Sequence, residues 1–189
     1  MASGAGPTEG APEPAPHGRH EDGRPVVADV AGGALLERLT RALALVGGVL
    51  LLAAVALAIV SITGRYTLGL PVPGDYELVE LICAVAVFLF FPFTHAMGAN
   101  LTAEFFTSGL PRRWQTALDV VHDAIFALVA ALLAWRLGHG MVDKYHNGDM
   151  SLLIQVPLWW PYTVAVACMW LLSIVSLWRV AAGVGALRR

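Results

Sequence analysis

Charged residues in this chain come in short islands separated by long apolar stretches. Between Arg41 and Arg65 there is no charged side chain at all, over residues 42–64. A helix rises about 1.5 Å per residue, so about 20 residues cross the ~30 Å hydrocarbon layer of a bilayer. That stretch predicts a first membrane span. Pro71, Pro73 and Gly74 predict a loop after it, with Asp75 as N-cap of the next helix. A second span is predicted over 77–97, carrying Glu77 in its first turn, where a carboxylate suits the helix dipole, and Glu80 just beyond. Pro92 removes a backbone hydrogen bond inside that span and predicts a kink.

The third span is predicted over 115–138. Its charge-free core, Ala124 to Trp135, is too short to cross alone, so Asp119, His122 and Asp123 fall within the embedded length. Residues 139–156 read as a polar loop. Leu152 to Pro157 is expected to be extended, because the residue before a proline avoids the helical region. The fourth span is predicted over 161–178, opening at Pro161 and ending before Arg179. Between spans two and three, Leu101, Phe105 and Phe106 share a face of a short interfacial helix, with Asn100, Glu104 and Ser108 on another. Residues 1–33, rich in Pro and Gly and poor in large apolar side chains, predict a disordered tail outside the membrane domain of residues 34–189.

Charge placement sets an orientation. Basic residues concentrate on the cytoplasmic side of membrane proteins. With both termini inside, Arg19, Arg24, Arg38, Arg41, Arg112, Arg113, Arg179, Arg188 and Arg189 are cytoplasmic, nine of the twelve basic residues. An odd number of spans loses this agreement. Trp and Tyr favour the membrane–water boundary, and Tyr66, Tyr76, Trp114, Trp135, Trp159, Trp160, Tyr162 and Trp178 fall near the predicted span ends. Trp170 alone is mid-span and is expected to pack. Composition agrees: 57% of residues are hydrophobic and 14% charged, against about a quarter charged in soluble domains. The expected fold is an all-α integral membrane protein with four transmembrane helices and N- and C-termini in the cytoplasm. A net charge of −2 and the lack of a basic run give no reason to expect nucleic acid.

Few residues suggest chemistry. Asp119, His122 and Asp123 stand at i, i+3 and i+4 and so share a helical face, with His95 at similar depth on the second span. A metal site or proton relay is one reading of this group. A polar cluster near the membrane face, paired internally or with another subunit, is the favoured one, since none of the four lies at mid-membrane. Haem held by His95 and His122 is a further alternative. Glu77 and Glu80 read as cap or partner contacts rather than an acid–base dyad, because no nucleophile, phosphate loop or HExxH run accompanies them. Cys83 and Cys168 have no CxxC spacing and read as small packed side chains. No catalytic residue, cofactor or metal ligand is expected. The Gly47–Gly48 pair offers a smooth surface for close helix contact. A four-helix membrane unit without a site of its own is most simply a structural subunit.

Three motifs sharpen this: Tyr76-Glu77-Leu78 opening the second span; Leu110, Pro111, Arg112, Arg113, Leu118 and Asp119 in the connector and third span; and Ser151, Val156, Pro157, Trp159 and Tyr162 before the fourth. By these residues the stretch from Gly74 to about Val184 resembles the small, DctQ-type permease subunit of tripartite ATP-independent periplasmic (TRAP) transporters. Asn100 stands where that family commonly has His, and Glu104 where it has Asp. The resemblance implies a non-enzymatic subunit in a bacterial inner membrane that braces a large permease subunit (DctM-like), which holds the substrate and sodium sites. It also implies a periplasmic binding protein (DctP-like) that delivers a solute such as an organic acid. Glu77, Glu80, His95, Glu104, Arg112, Arg113, Asp119, His122 and Asp123 are then partner-interface or structural polar residues. By position, Glu77 and the loop around Asp143, Lys144 and Asp149 are candidates to meet the binding protein. The alternatives are a haem-binding redox protein and a four-helix assembly factor.

Overall fold

The computed structural model describes residues 33–69, 73–97 and 112–187. Residues 1–32 of the predicted tail, the interfacial helix with Glu104 and the terminal Arg188 and Arg189 lie outside them, while Gly33, the tail's last residue, opens the first helix. Among the described residues four helices follow one another: α1 (Gly33–Leu68), α2 (Asp75–Ala96), α3 (Arg112–Asn147) and α4 (Trp159–Leu187). All four are long and apolar enough to cross a membrane. Among the described residues, sheet pairing is confined to a single bridge between Met150 and Pro157.

The helices outrun the apolar windows that announced them. At 36 residues, α1 and α3 are each about 54 Å long, well beyond the hydrocarbon layer. Nothing in residues 139–147 breaks a helix strongly, and α3 runs on through the predicted loop. It ends in a Schellman motif: Gly148 takes φ 65°, its N–H donates to the Tyr145 carbonyl (3.3 Å), and the Asp149 N–H donates to that of Lys144 (3.2 Å). The fourth helix starts two residues before Pro161, whose missing N–H has no intrahelical partner in the first turn. It continues past Arg179 to Leu187. Gly74, with φ 75°, takes the N-cap position of α2, displacing the expected Asp75, which is the first helical residue.

Adjacent helices are antiparallel, so the α1–α2 and α3–α4 connections lie at one end and the start of α1 and the end of α4 at the other. Leu36 packs with Ala96, Val175 and Trp178 at that second end. The main seams join α1 to α2, α2 to α4 and α4 to α3. Lipid tails are as apolar as leucine, so burying leucine gives little drive for these helices to associate; close backbone approach through small residues does. The buried residues follow that rule: Ala54, Ala86, Ala96, Ala127, Ala130, Ala134, Ala165 and Cys168, with Thr40, Ser61, Ser173 and Ser176. On α3 the stripe Asp123, Ala127, Ala130, Ala134 has the spacing of an antiparallel seam. It meets Met169, Leu172, Ser173 and Arg179 of α4 in reverse order. The Ser173 hydroxyl donates across it to the Ala127 carbonyl at 3.1 Å.

Glycines set the closest approaches. A Cβ at Gly47 would sit 3.3 Å from the Ala86 carbonyl oxygen and from Leu89 Cβ, whereas Gly48 has no neighbour within 4 Å, so only the first member of the expected pair serves helix contact. At Gly183 a Cβ would come within 2.4 Å of Val120 Cγ2. Many large apolar side chains point outward instead, among them Leu45, Val49, Leu52, Ile59, Ile125, Leu128 and Leu132. Trp170 is 48% exposed and faces outward with them, contrary to the packing role expected of it.

Candidate functional site

Polar side chains gather at the two ends of the helices. At the end holding both connections, Glu77 reaches across from the first turn of α2 to the α3–α4 connection. Its carboxylate accepts from the backbone N–H groups of Leu152 (2.7 Å), Leu153 (3.0 Å) and Ile154 (3.0 Å) and from the Ser151 hydroxyl (3.0 Å). Three successive N–H groups converging on one carboxylate form an anion nest. To aim them inward, residues 152–154 form a turn and Gln155 takes φ 52°, so the expectation of an extended run from Leu152 to Pro157 is overturned. The general bias of a residue before proline acts on Val156, not on the turn three residues earlier. Gly74 closes beneath this turn; a Cβ there would come within 2.3 Å of Ile154 Cγ2. Lys144 and Asp149 pair at 2.7 Å where α3 ends, and Asp143 is exposed.

The ordered turn leaves Leu152 (92% exposed) and Leu153 (70%) projecting outward, with Met150, Tyr145 and Trp160 exposed nearby in the sequence. At the same end, Asp75 accepts from the Ser61 hydroxyl, from Arg65 Nη2 (3.4 Å) and from the Tyr76 N–H (2.9 Å). Glu80 is exposed on α2 beside this group.

At the opposite end, three helices contribute one residue each to a buried cluster: His95 from α2, Asp123 from α3 and Arg179 from α4. Arg179 Nε donates to Asp123 Oδ2 at 3.0 Å, and its Nη1 donates to the His95 carbonyl at 3.4 Å. His95 Nε2 lies 3.4 Å from Asp123 Oδ1. The side chains are 3%, 6% and 12% exposed for His95, Asp123 and Arg179. A buried charge is tolerable only when paired, and the carboxylate–guanidinium pair meets that requirement.

The expected face of Asp119, His122 and Asp123 therefore divides. Asp123 turns inward, His122 is half-buried against Phe126 (ring centroids 5.7 Å apart), and Asp119 is exposed. Helix geometry spreads i, i+3 and i+4 over a sector wide enough for this. Among the described residues no group of three His, Cys, Asp or Glu is placed to hold a metal ion. The His95 ring stacks on Phe126 at 4.6 Å, and Phe126 also meets His122, so a phenyl ring is packed against both imidazoles proposed as haem ligands. Arg112 and Arg113 open α3.

Arg179 is a member of this cluster that its position in the sequence does not announce. The sequence puts it just beyond the last span, on the cytoplasmic side; in the fold it belongs to α4 and points inward. The available signal was Asp123, a carboxylate in an apolar helix that needed a cation, and the apolar residues 180–187 that carry the helix on.

Comparison with known proteins agrees with this architecture. No curated protein and no solved structure gave a match. The family model for tripartite ATP-independent periplasmic transporters, DctQ component, matches residues 54–184, which include the second part of α1, all of α2, α3 and the α3–α4 connection, and most of α4. With four apolar helices and a match over more than half its length, the chain belongs to the DctQ family, the small membrane subunit of TRAP transporters.

Proposed function

We propose that this subunit moves no solute itself: it braces a large DctM-like permease in a bacterial inner membrane, both termini in the cytoplasm, and helps seat a DctP-like periplasmic binding protein. The observation that carries the reading is the DctQ match. The distribution of polar groups supports it, since they cluster at the two helix ends and the charge-free stretch of α1 spans residues 42–64. A transporter needs polar ligands at mid-membrane for its cargo, and that role falls to the larger partner. The outward faces of the four helices offer apolar surface to lipid and permease alike. At the outer end, the turn fastened by Glu77 presents Leu152 and Leu153 in a fixed shape, suited to a docking surface because little ordering entropy remains to be lost on binding. Glu77 acts here by shaping the turn. The cargo is a solute such as an organic acid, coupled to sodium.

Reconstitution tests this. Proteoliposomes holding this chain alone should take up no labelled organic acid. Those holding it with the permease encoded beside it and the binding protein should, under an inward sodium gradient. Uptake by the lone chain would reject the scaffold role. Uptake indifferent to sodium, or undiminished when Leu152 and Leu153 are both changed to Ser, would reject the coupling or the docking surface respectively.

A further inference from the structure

We propose that the groove between α1 and α2 at the Asp75 end is a headgroup site for a zwitterionic phospholipid bearing a primary ammonium, the phosphatidylethanolamine class. The groove encloses about 540 Å³ and is lined by Ala58, Ile62 and Arg65 of α1 and Asp75, Tyr76, Val79 and Glu80 of α2. Its floor is apolar and its rim charged, the profile of an acyl chain running up to a headgroup. It lies where helices leave the membrane, and the exposed ring of Tyr76 (84%) lines it, a side chain that favours the headgroup level.

The charges select the headgroup. Asp75 is already engaged: Oδ2 accepts from Ser61 and Arg65, and Oδ1 from the Tyr76 N–H. Arg65 commits one nitrogen to Asp75 at 3.4 Å, and its side chain remains 57% exposed. Most of its donor fork is left for a phosphate, which it fits bidentately. Glu80 is exposed and has no ion-pair partner among the described residues. A phosphate on Arg65 and an ammonium donating to Glu80 complete both groups. An anionic phosphatidylglycerol would satisfy Arg65 but meet the uncompensated Glu80. A phosphatidylcholine brings a cation without N–H donors. Such a site requires only the membrane-spanning fold, whatever the subunit does in transport.

Native mass spectrometry of the full chain, released from detergent with equimolar palmitoyl-oleoyl phosphatidylethanolamine, phosphatidylglycerol and phosphatidylcholine, tests it. Phosphatidylethanolamine should be retained about fivefold over the other two, the scale of one exposed charge pair. Glu80→Gln should lower its retention to that of phosphatidylcholine, Glu80→Lys should turn the preference to phosphatidylglycerol, and Arg65→Gln should lower all three. Circular dichroism confirms that each variant keeps its helices. Equal or better retention of phosphatidylglycerol by the wild-type chain, or an unchanged preference in Glu80→Gln, would overturn the proposal.

Discussion

Removing either partner of the Asp123–Arg179 pair should destabilise the bundle, and by unequal amounts. The carboxylate is buried where α2, α3 and α4 meet, and its short side chain cannot reach water. In Arg179→Leu it loses its charged hydrogen-bond partner (3.0 Å) and keeps only His95 at 3.4 Å. Breaking a buried ion pair from one side costs about 3–5 kcal/mol in soluble proteins. Polar contacts in membrane bundles average only about 0.6 kcal/mol and reach about 1.7, because separated helices find other partners. A stranded carboxylate between three helices belongs nearer the first range, at about 3 kcal/mol. In Asp123→Leu the stranded group is a long arginine near a helix end, able to extend toward the membrane face, and the cost should be about 1.5 kcal/mol. The double variant leaves no unpaired charge and should be less damaged than Arg179→Leu alone. Equilibrium unfolding in mixed dodecyl sulfate micelles, followed by the fluorescence of the six tryptophans, measures all three. About 1.4 kcal/mol is a tenfold change in the folded-to-unfolded ratio, so the order is resolvable. If the two single effects simply add in the double variant, or if Arg179→Leu is silent, the pair does not hold the helices together and the reasoning fails.

Other consequences follow from single contacts. Glu77→Ala should release the turn it fastens: amide hydrogen exchange at Leu152, Leu153 and Ile154 should speed by an order of magnitude or more while the four helices stay protected, the behaviour of a locally opening segment. Exchange unchanged there would show that the turn holds itself. Gly183→Ala puts a methyl 2.4 Å from Val120 Cγ2 and should cost about 1–3 kcal/mol by overpacking. Adding Val120→Ala should recover most of the loss in the same unfolding assay; failure to recover would place the clash elsewhere. Reporter tags fused at the two ends should lie in the same compartment, the cytoplasm; opposite compartments would contradict the even number of spans.

What the amino-acid order determined was the number and identity of the helices. The solvent of a membrane protein demands about twenty apolar residues per crossing, a local property that can be counted along the chain without knowing which helix touches which. The DctQ resemblance, too, rested on short runs such as Tyr76-Glu77-Leu78. Helix ends were less legible. The third helix runs on through residues 139–147 because polar residues outside the hydrocarbon still hydrogen-bond helically, and only Gly148 supplies the left-handed backbone that closes it. Partnerships were decided by the tertiary fold alone. Glu77 pairs with amides 75–77 residues away, and Asp123 with an arginine 56 residues away. Neither spacing carries a period. Helices that are apolar nearly all round do not announce their inner faces, and in lipid the faces are chosen by where small residues let two backbones close together. That choice turned Asp123 and Arg179 inward and left Asp119, on the same expected face, at the surface.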